Sequence, residues 1–391
     1  PNLAPGADDI SGMVLKSCSG GTAPILKKLF QKSISTGTLP TEWLKANITP
    51  IYKKGDRSQP NNYRPVSLTS VLCKLLEHII HGHIMKHFEK QNILADQQHG
   101  FRKGRSCETQ LSALVDDVQK ILDKRSQVDL IITDFRKAFD VVPHQRLLSK
   151  IHHVRIRNRI YSWLTNFLTK RQQKVVLEGE SSEEAQVRSG VPQGTVLGPL
   201  LFLVYINDLP TNLASSVRLF ADDCILYREI QNPEDATLLQ EDIHTLCIWE
   251  SRWQMGFNTS KCHVMTVTHK TKPLEHVYTM GEEVLVKVTH HSYLGVEITS
   301  DMSWNLHITQ TVKKANKQLG LVRRYLYSCD KSTKSIAYLT LVRPILEYCH
   351  AVWDPHQQTT IDLIEKTQRR AERFAMNDYD QTSSVTNMLK Q

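Results

Sequence analysis

Apolar residues recur at helical spacing in two early stretches of the chain, 66–88 and 109–124. A repeat of about 3.6 residues is typical of an amphipathic helix, so both stretches are predicted to be helical. The pattern then changes, because residues 130–133 form a short apolar run that ends in Asp134. Such a run predicts a buried strand with a carboxylate at its end, and a further helix is expected over 140–151.

The second half of the chain contains both the helical and the strand periodicity of apolar residues. Residues 217–226 predict two short strands joined at Ala221, Asp222 and Asp223, which is a hairpin with acidic residues at its tip. The other predicted elements are a helix at 234–255, strands within 264–268 and 284–298, and helices from Leu306 onward with a break at Pro344. Helices, then mixed strands and helices, then helices again indicate an α+β fold.

The size and composition indicate a globular protein with more than one subdomain. The chain has 391 residues, of which 40% are hydrophobic and 23% are charged, and this balance is typical of a soluble protein with a buried core. No apolar run approaches the roughly 18 residues of a membrane span, so no membrane partner is expected. Because the chain begins at Pro1, without a signal-like segment, we expect a fragment of a longer polypeptide.

The cysteines do not form a metal-binding or disulfide pattern. They are scattered singly, without a CxxC pair, and Cys262-His263 has no partner pair at zinc-finger spacing. A chain of this length does not need disulfides for stability, so free thiols in a reducing compartment are expected. The eight cysteines are Cys18, Cys73, Cys107, Cys224, Cys247, Cys262, Cys329 and Cys349.

The positive charge is concentrated late in the chain. The formal net charge is +9, and the segment 305–347 contains eight basic and two acidic residues, a net +6. A basic helical face is often only a solvated surface, but clustering in one segment favours contact with a phosphate backbone. The basic residues are Lys313, Lys314, Lys317, Arg323, Arg324, Lys331, Lys334 and Arg343.

Three carboxylates are the first candidates for chemistry: Asp134, Asp222 and Asp223. Nucleotidyl transfer needs one cation to activate the attacking primer hydroxyl and another to stabilise the leaving pyrophosphate. Mg²⁺ prefers oxygen ligands, and adjacent acids stay ionised at low cost only beside cations, because like charges raise each other's pKa. Each of the two acidic motifs has a structural alternative when it is taken alone, since Asp-Asp is common in turns and Asp often ends a strand.

Several sequence segments resemble those of reverse transcriptases in order and spacing: ITDFRKAFD (132–140), SGVPQGTVLGPLLF (189–202) and FADD (220–223). The resemblance is to the non-LTR, LINE-like retrotransposon enzymes, in particular the jockey-like group, and it covers nearly all of the chain. The further matching segments are ITPIYKKGD (48–56), NNYRPVSLTS (61–70), DQQHGFRKGRSCETQL (96–111), NTSKCHVM (258–265) and YLGVEI (293–298).

The resemblance implies a right-hand polymerase architecture, with fingers, a palm that contains an antiparallel sheet, and a helical thumb. It divides the chain into an N-terminal segment with fingers (1–130), a palm (131–300, with a finger-side insertion at about 141–180) and a basic, helical thumb (301–391). It also implies that the three aspartates hold two Mg²⁺ ions, with Mn²⁺ as a substitute. Phe220 stands where the family often has Tyr, so an aromatic body remains and its hydroxyl contacts are lost.

The family's motifs assign further residues around the incoming nucleotide. Lys53 and Arg64 correspond to finger positions that contact the triphosphate, although exposed surface charges are the alternative interpretation. Phe139 corresponds to an aromatic gate beneath the sugar that selects dNTPs over rNTPs, and a core aromatic is its alternative. Gln193 and Gly194 belong to a loop that abuts the template and the nucleotide.

Other positions correspond to family contacts with the reaction products and the nucleic acid. Lys261 matches a lysine proposed to protonate the departing pyrophosphate, with an ordinary surface lysine as the alternative, and Arg102 is a candidate contact for template or phosphate. The segment 293–295 (Tyr293, Leu294, Gly295) resembles the primer grip. The basic residues after Leu306 then become the thumb surface that holds the RNA–DNA duplex, in particular Lys313, Lys314, Lys317, Arg323 and Arg324.

The function implied by the resemblance is RNA-directed DNA synthesis on a primer 3′-hydroxyl, as part of non-LTR retrotransposition. The implied partners are an RNA template, a DNA primer, the RNA–DNA hybrid, dNTPs and further domains of a longer polyprotein, such as an endonuclease. Action in the nucleus is expected from the family alone. Two alternatives are a catalytically silent, domesticated RNA-binding protein and a metal-dependent nuclease; the nuclease explains neither the PQG loop nor Phe139.

Overall fold

The structure is a computed structural model that describes residues 4–378. Residues 1–3 of the predicted N-terminal segment and residues 379–391 of the predicted thumb lie outside the described residues. The helices are α1 (Gly12–Ser17), α2 (Ser19–Thr36), α3 (Val71–Gln91), α4 (Cys107–Asp123), α5 (Ala138–Val141), α6 (His144–His153), α7 (Asn158–Thr169), α8 (Leu197–Ile206), α9 (Pro233–Trp253), α10 (Asn305–Tyr325), α11 (Lys331–Leu341), α12 (Arg343–Glu347), α13 (His350–Trp353) and α14 (Gln358–Met376).

Within residues 4–378, the strands form two larger sheets and two small hairpins. The strands are β1 (Lys45–Tyr52), β2 (Tyr63–Thr69), β3 (Gln127–Thr133), β4 (Gln172–Leu177), β5 (Glu180–Ser181), β6 (Ala185–Gln186), β7 (Ser216–Phe220), β8 (Asp223–Ile230), β9 (His263–Thr268), β10 (Thr279–Met280), β11 (Glu283–Val284), β12 (Val286–Lys287), β13 (His290–Tyr293) and β14 (Val296–Thr299). Among the described residues, the sheet that carries the acidic segments is ordered β12-β9-β3-β8-β7; it is called the central sheet below.

Strand β3 lies at the middle of the central sheet and is antiparallel to both β8 and β9. Every residue of β3 is buried, because both faces of the sheet are covered by protein. Side chains alternate between faces along a strand, so Ile131 joins the core that contains α3 and α6 to α9. Leu130 and Ile132 join the opposite core, which contains α4 and the β13–β14 hairpin.

The second sheet contains β1, β2 and β4, and β4 directly follows α7 in the chain. Strand β1 pairs antiparallel with β2 and parallel with β4. The backbone N–H of Ser67 on β2 donates to the carbonyl of Gln193, at 2.8 Å. This bond ties the loop before α8 to the second sheet.

The C-terminal helices form a separate small core. Helices α10, α11, α12 and α14 pack together around apolar side chains that include Leu319, Val342 and Phe374. Helix α10 is amphipathic: Ala315, Leu319 and Val322 are buried, and its basic residues are exposed.

Two predicted helix boundaries are wrong. Residues 66–69 belong to β2 and not to a helix, because they pair with β1 from Ala46 to Thr49. Helix α3 begins only at Val71, where the Ser70 hydroxyl accepts from the Cys73 N–H and caps the helix. The helix expected over 140–151 is two helices, α5 and α6, because Pro143 separates them and cannot donate a backbone hydrogen bond.

The other predicted elements are present with shifted ends. The acidic hairpin of β7 and β8, the strand β3 and the helices α4 and α9 are confirmed. The expected break near Pro344 occurs at Val342, and Pro344 lies in the first turn of α12, where no intrahelical donor is required. All eight cysteines are free thiols, and no helix within residues 4–378 is long and apolar enough to cross a membrane. The division into fingers, palm and thumb at 130 and 300 stays a prediction.

Candidate active site

The antiparallel pairing of β3 with β8 brings the acidic segments to one end of the central sheet. Thr133 pairs with Cys224, so Asp134, one residue beyond β3, lies opposite Asp223 at the start of β8. Strands β7 and β8 are joined by a tight turn in which Phe220 pairs with Asp223, and Asp222 lies in this turn. Asp134 therefore lies at the same end of the sheet as the adjacent pair Asp222 and Asp223, which is far from it in sequence.

The electrostatics of the aspartates reflects this proximity. Desolvation, followed by the negative charges of Asp222 and Asp134, raises the pKa of Asp223 to about 6. Burial and Asp134 also raise the pKa of Asp222, while Arg64 and Lys53 act in the opposite direction. Like charges at close range favour protonation unless a cation is present. The site is therefore one in which added positive charge would be strongly stabilised.

The donor set fits a divalent metal ion in its chemistry. Carboxylate oxygens are the ligands that Mg²⁺ prefers, usually with substrate phosphates completing its coordination. Within residues 4–378, no group of three His, Cys, Asp or Glu side chains is already arranged as a metal site. The carboxylates are gathered at one end of the sheet, but their oxygens are not arranged as a coordination shell.

Lys261 is the cation nearest to Asp134. Its Nζ lies 3.1 Å from Asp134 Oδ2, and both side chains keep access to solvent. The backbone holds this arrangement, since the Asn258 N–H donates to the Asp134 carbonyl at 2.7 Å and the Lys261 N–H donates to the Asn258 carbonyl at 2.8 Å. An ammonium group so placed can neutralise Asp134 or transfer a proton to a phosphate oxygen.

Lys53 and Arg64 lie on the hairpin formed by β1 and β2. Ile51 pairs with Arg64, and the Lys53 N–H donates to the Asn62 carbonyl at 2.8 Å, so both residues lie on the same end of the hairpin. Their side chains are exposed, and both lower the pKa of Asp222 through their charge. The two residues predicted to contact the triphosphate are thus close enough to the acidic turn for their charges to act on Asp222.

The loop that contains Gln193 is held by hydrogen bonds to two neighbours. Gln193 Nε2 donates to Asp140 Oδ1 at 2.9 Å, and its carbonyl accepts from Ser67. Gly194 has φ +102, and a Cβ there would lie 2.7 Å from the Ser67 carbonyl oxygen, so a larger residue would displace β2. Glycine is therefore needed at this position for the loop to approach the sheet.

Phe139 is half-buried, and its ring packs against two other aromatic side chains. It stacks on the buried Phe202, with ring centroids 4.3 Å apart, and meets Phe101 edge to face at 6.2 Å. Its carbonyl accepts from the Val191 N–H at 2.7 Å, which joins it to the loop that contains Gln193. The position is compatible with both the gate and the core interpretation.

The predicted primer-grip residues line a cavity beside the aspartates. The cavity has a volume of about 380 Å³ and is lined by Asp134, Asp223, Lys261, His291, Tyr293 and Gly295, among others. Tyr293 is buried, and its hydroxyl accepts from Gln110 Nε2 at 3.1 Å. Leu294 and Gly295 form the turn of the β13–β14 hairpin, and Tyr348 donates to the Leu294 carbonyl at 2.8 Å.

Arg102 is engaged within its own loop. Its guanidinium donates to the carbonyl of Ala95 at 2.8 Å and to that of Gln98 at 3.4 Å. Burial, followed by the charge of Arg105, lowers its pKa. In this arrangement Arg102 shapes the segment 95–102, and a contact with template stays a prediction.

Some basic residues after Leu306 are exposed, and others make contacts within the protein. Lys334 was counted in the basic cluster, but it is 1% exposed. Its ammonium lies 2.9 Å from Asn377 Oδ1 and over the ring of Phe374, so it is not available to a phosphate. Arg343 forms an ion pair with Glu347. The exposed cations of α10 are Lys313, Lys314, Lys317, Arg323 and Arg324.

Sequence reasoning missed several residues that shape the site. Gln98 is buried beneath the acidic turn and hydrogen bonds to Ala221, and Phe101 presents a ring that is 53% exposed beside Phe139. Both lie in the matched segment 96–111, but no spacing rule connects a glutamine to a turn more than 120 residues away. His291 lines the same cavity as Asp134, and no residue pattern identified it.

Comparison with known proteins identifies the class of protein. Residues 51–298 match the family described as reverse transcriptase (RNA-dependent DNA polymerase). The match covers more than half of the chain, which therefore belongs to the reverse transcriptase family. The predicted α+β, right-hand polymerase fold is confirmed, and the family generally uses divalent metal ions.

The relatives are polymerases of non-LTR retrotransposons. The chain is 29% identical over 95% of its length to the probable RNA-directed DNA polymerase from transposon BS of Drosophila melanogaster. It is 27% identical, again over 95%, to the RNA-directed DNA polymerase from mobile element jockey of Drosophila funebris. It spans 42% of the length of each of these relatives. A structure of telomerase from Candida tropicalis with a fragment of telomeric RNA aligns with 94% of this chain and 67% of its own, at 10% identity and a TM-score of 0.48.

Proposed function

We propose that this chain is the polymerase part of a longer protein and that it extends a primer 3′-hydroxyl with dNTPs on an RNA template. The proposed setting is the copying of a non-LTR retrotransposon transcript at chromosomal DNA in the nucleus. One observation carries the proposal: the pairing of Thr133 with Cys224 places Asp134 opposite the acidic turn, where the charges of Lys53 and Arg64 act on Asp222.

In this proposal Asp134, Asp222 and Asp223 hold two Mg²⁺ ions, for which Mn²⁺ can substitute. When bound, the two ions supply activation of the primer hydroxyl and stabilisation of the leaving pyrophosphate. Lys53 offers a point charge and Arg64 a bidentate fork to the triphosphate.

Lys261 is the proposed proton donor to the leaving group. Its ammonium is already beside Asp134. Transfer of one proton from its Nζ to a pyrophosphate oxygen would leave a neutral amine, which regains its proton from solvent. Phe139 is the proposed gate below the sugar, and Gln193 and Gly194 adjoin the nascent base pair.

The primer terminus is proposed to occupy the cavity bordered by the segment 293–295. This cavity opens between the aspartates and the β13–β14 hairpin, so a strand held there presents its 3′-hydroxyl to Asp134 and Asp223. The exposed cations of α10 would contact the duplex backbone by shape and charge, which is the sequence-independent recognition that a copying enzyme requires.

The decisive experiment is primer extension with an RNA template, an annealed DNA primer, dNTPs and Mg²⁺. The wild-type chain should extend the primer, and Asp222→Asn should lower the rate by about 100-fold or more, the order lost with one essential electrostatic group. Duplex affinity of Asp222→Asn should be unchanged or higher, because a negative charge near the phosphates is removed.

Asp123→Asn is the matched control. Asp123 is exposed at the end of α4, before β3 begins. The aspartates of the site lie at the other end of β3, so the control makes the same chemical change away from the site. It should extend primers at the wild-type rate. A wild-type chain that binds the hybrid without extending it would instead identify a silent RNA-binding protein, and cleavage without extension would identify a nuclease.

A further inference from the structure

The segment 95–102 continues the central sheet beyond its edge strand β7. Gln98 pairs with Leu219 as an isolated parallel bridge. The His99 N–H donates to the Leu219 carbonyl at 2.8 Å, and the Leu219 N–H donates to the Gln97 carbonyl at 3.0 Å. This segment therefore runs beside β7 up to the turn that carries the two adjacent aspartates.

The Gln98 side chain bonds both backbone polar groups of Ala221, the residue before Asp222. Gln98 Oε1 accepts from the Ala221 N–H at 2.8 Å and from the Gly100 N–H at 2.7 Å. Gln98 Nε2 donates to the Ala221 carbonyl at 3.3 Å. Gln98 and Ala221 are 2% and 6% exposed, so solvent does not replace these bonds easily when the side chain is removed.

The turn needs this support because its conformation is unfavourable. Ala221 has φ +54, in the left-handed region that residues with a Cβ rarely adopt. Such a conformation persists only where the surroundings hold it. The backbone at Gly100 approaches so closely that a Cβ there would lie 2.3 Å from the Ala221 nitrogen, so the amide of Gln98 is confined between two backbone segments.

We propose that Gln98 is a positioning residue for the polymerase reaction: it fixes the Phe220–Asp223 turn and thereby the directions of Asp222 and Asp223. The inference rests on the proposed function for its catalytic consequence, but the fixing of the turn is a property of the protein without metal or substrate. Glutamine suits both tasks because one amide supplies an acceptor for the Ala221 N–H and a donor for the Ala221 carbonyl.

The test compares Gln98→Met with Gln97→Met. Methionine is similar in length and apolar, so it fills the space without hydrogen bonding. Gln97 is the adjacent residue, and its side chain is exposed, so its variant makes the same change one position away. Both variants keep the backbone bonds of the segment to Leu219.

The first measurement is amide hydrogen exchange of a peptide that spans residues 219–224 in metal-free protein. Gln98→Met should accelerate exchange by about tenfold or more, as expected for the loss of a buried hydrogen-bond pair, and Gln97→Met should match wild type. This measurement does not involve polymerase activity, so its failure is distinguishable from failure of the proposed function. Equal exchange in the two variants would overturn the inference.

The second measurement is primer extension at varied Mg²⁺ and dNTP concentration. Gln98→Met should lower kcat by about tenfold or more and raise the Mg²⁺ concentration for half-maximal rate, while duplex affinity stays unchanged. A protein in which kcat and the Mg²⁺ requirement are those of wild type would refute the positioning role.

Gln98→Asn keeps the inference testable if Gln98→Met does not fold. Asparagine keeps a neutral amide but is one methylene shorter, so it cannot bond both the N–H and the carbonyl of Ala221 as Gln98 does. Its exchange over residues 219–224 should still exceed that of wild type. Exchange equal to wild type in Gln98→Asn would contradict the proposal.

Discussion

Phe139 shows how one side chain can be both a core residue and a candidate gate. Its stacking on Phe202, at 4.3 Å and 16°, is a packing contact, while another edge of the ring meets the exposed Phe101. A gate must be rigid, because steric exclusion of a 2′-hydroxyl fails if the ring can move aside. Stacking on a fully buried ring supplies that rigidity, so the two interpretations support each other.

Phe139→Ala is therefore expected to admit ribonucleotides. The preference for dNTPs over rNTPs should fall by about tenfold or more, the scale on which a pocket discriminates one small group. The measurement is the ratio of kcat/KM for dCTP and CTP on the same template.

Phe167→Leu is the control for core disruption, because Phe167 is buried in the same core and its ring stacks on Trp163. It should lower stability but retain most of the preference. The same loss of preference in both variants would show that Phe139 acts only through packing.

At the level of single residues, the sequence indicated the acidic side chains of the candidate site. It did not indicate the uncharged residues that fix their positions. Asp134, Asp222 and Asp223 could be identified because a short motif surrounds each one. Gln98 could not, since its partner at Ala221 is distant in sequence and its neighbour Gln97 looks the same. The orientation of Arg102 into its own loop was also not predictable, because an arginine in a glycine-rich segment has many reachable acceptors.

At the level of elements, periodicity predicted most helices and strands. It failed where strand pairing or a proline determined the local structure. Residues 66–69 continue the apolar pattern of α3, but β1 offers them backbone partners, and strand pairing prevails. Pro143 divides the expected helix because a proline removes one donor and restricts the residue before it. Tertiary pairing is invisible to a local pattern, which is why the pattern predicted a helix for 66–69.

The junction between α10 and β14 depends on a neutral histidine. The Glu297 N–H donates to His307 Nδ1 at 3.3 Å, which requires that nitrogen to be unprotonated, and the ring packs against Trp353. Burial, followed by the charge of Lys314, lowers the pKa of His307 to about 4. Protonation would therefore weaken the attachment of α10 to the β13–β14 hairpin.

The sign of the pH dependence follows from the two states. An unfolded histidine takes up a proton near pH 6.5, whereas folded His307 does so only near pH 4. The unfolded state binds more protons between these values, so the free energy of unfolding should decrease as pH falls from about 6.5 to about 4, by on the order of 2 kcal/mol from this group.

His307→Gln is expected to reduce this dependence, because glutamine can still accept from Glu297 and does not titrate. Denaturant midpoints measured from pH 7.5 to 4.5 check the prediction. His153→Gln is the control, since His153 is exposed on α6 and should leave the pH dependence as in wild type. An identical pH dependence for wild type and His307→Gln would remove His307 as its source.

At the level of the whole molecule, net charge is less informative than where the cations lie. Of the eight basic residues in 305–347, Lys334 is buried and Arg343 is paired with Glu347. The five cations of α10 are all exposed, and by helical spacing Lys313, Lys317 and Arg324 lie opposite its apolar face. A surface of this kind suits a phosphate backbone because each contact releases condensed counterions.

The final prediction tests this surface through the salt dependence of binding. Replacing Lys313, Lys317 and Arg324 with Gln should lower the slope of log affinity against log salt concentration for an RNA–DNA hybrid by about 2 to 3, since each phosphate contact contributes a little less than one. Replacing Lys27, Lys28 and Lys32 with Gln is the matched control, because these exposed lysines of α2 change the net charge by the same amount. Long-range attraction depends on total charge and would respond equally to both triple variants, whereas contact depends on position. A slope that falls equally in both would therefore assign the effect to net charge and not to α10, and a slope unchanged in both would place the duplex on another surface.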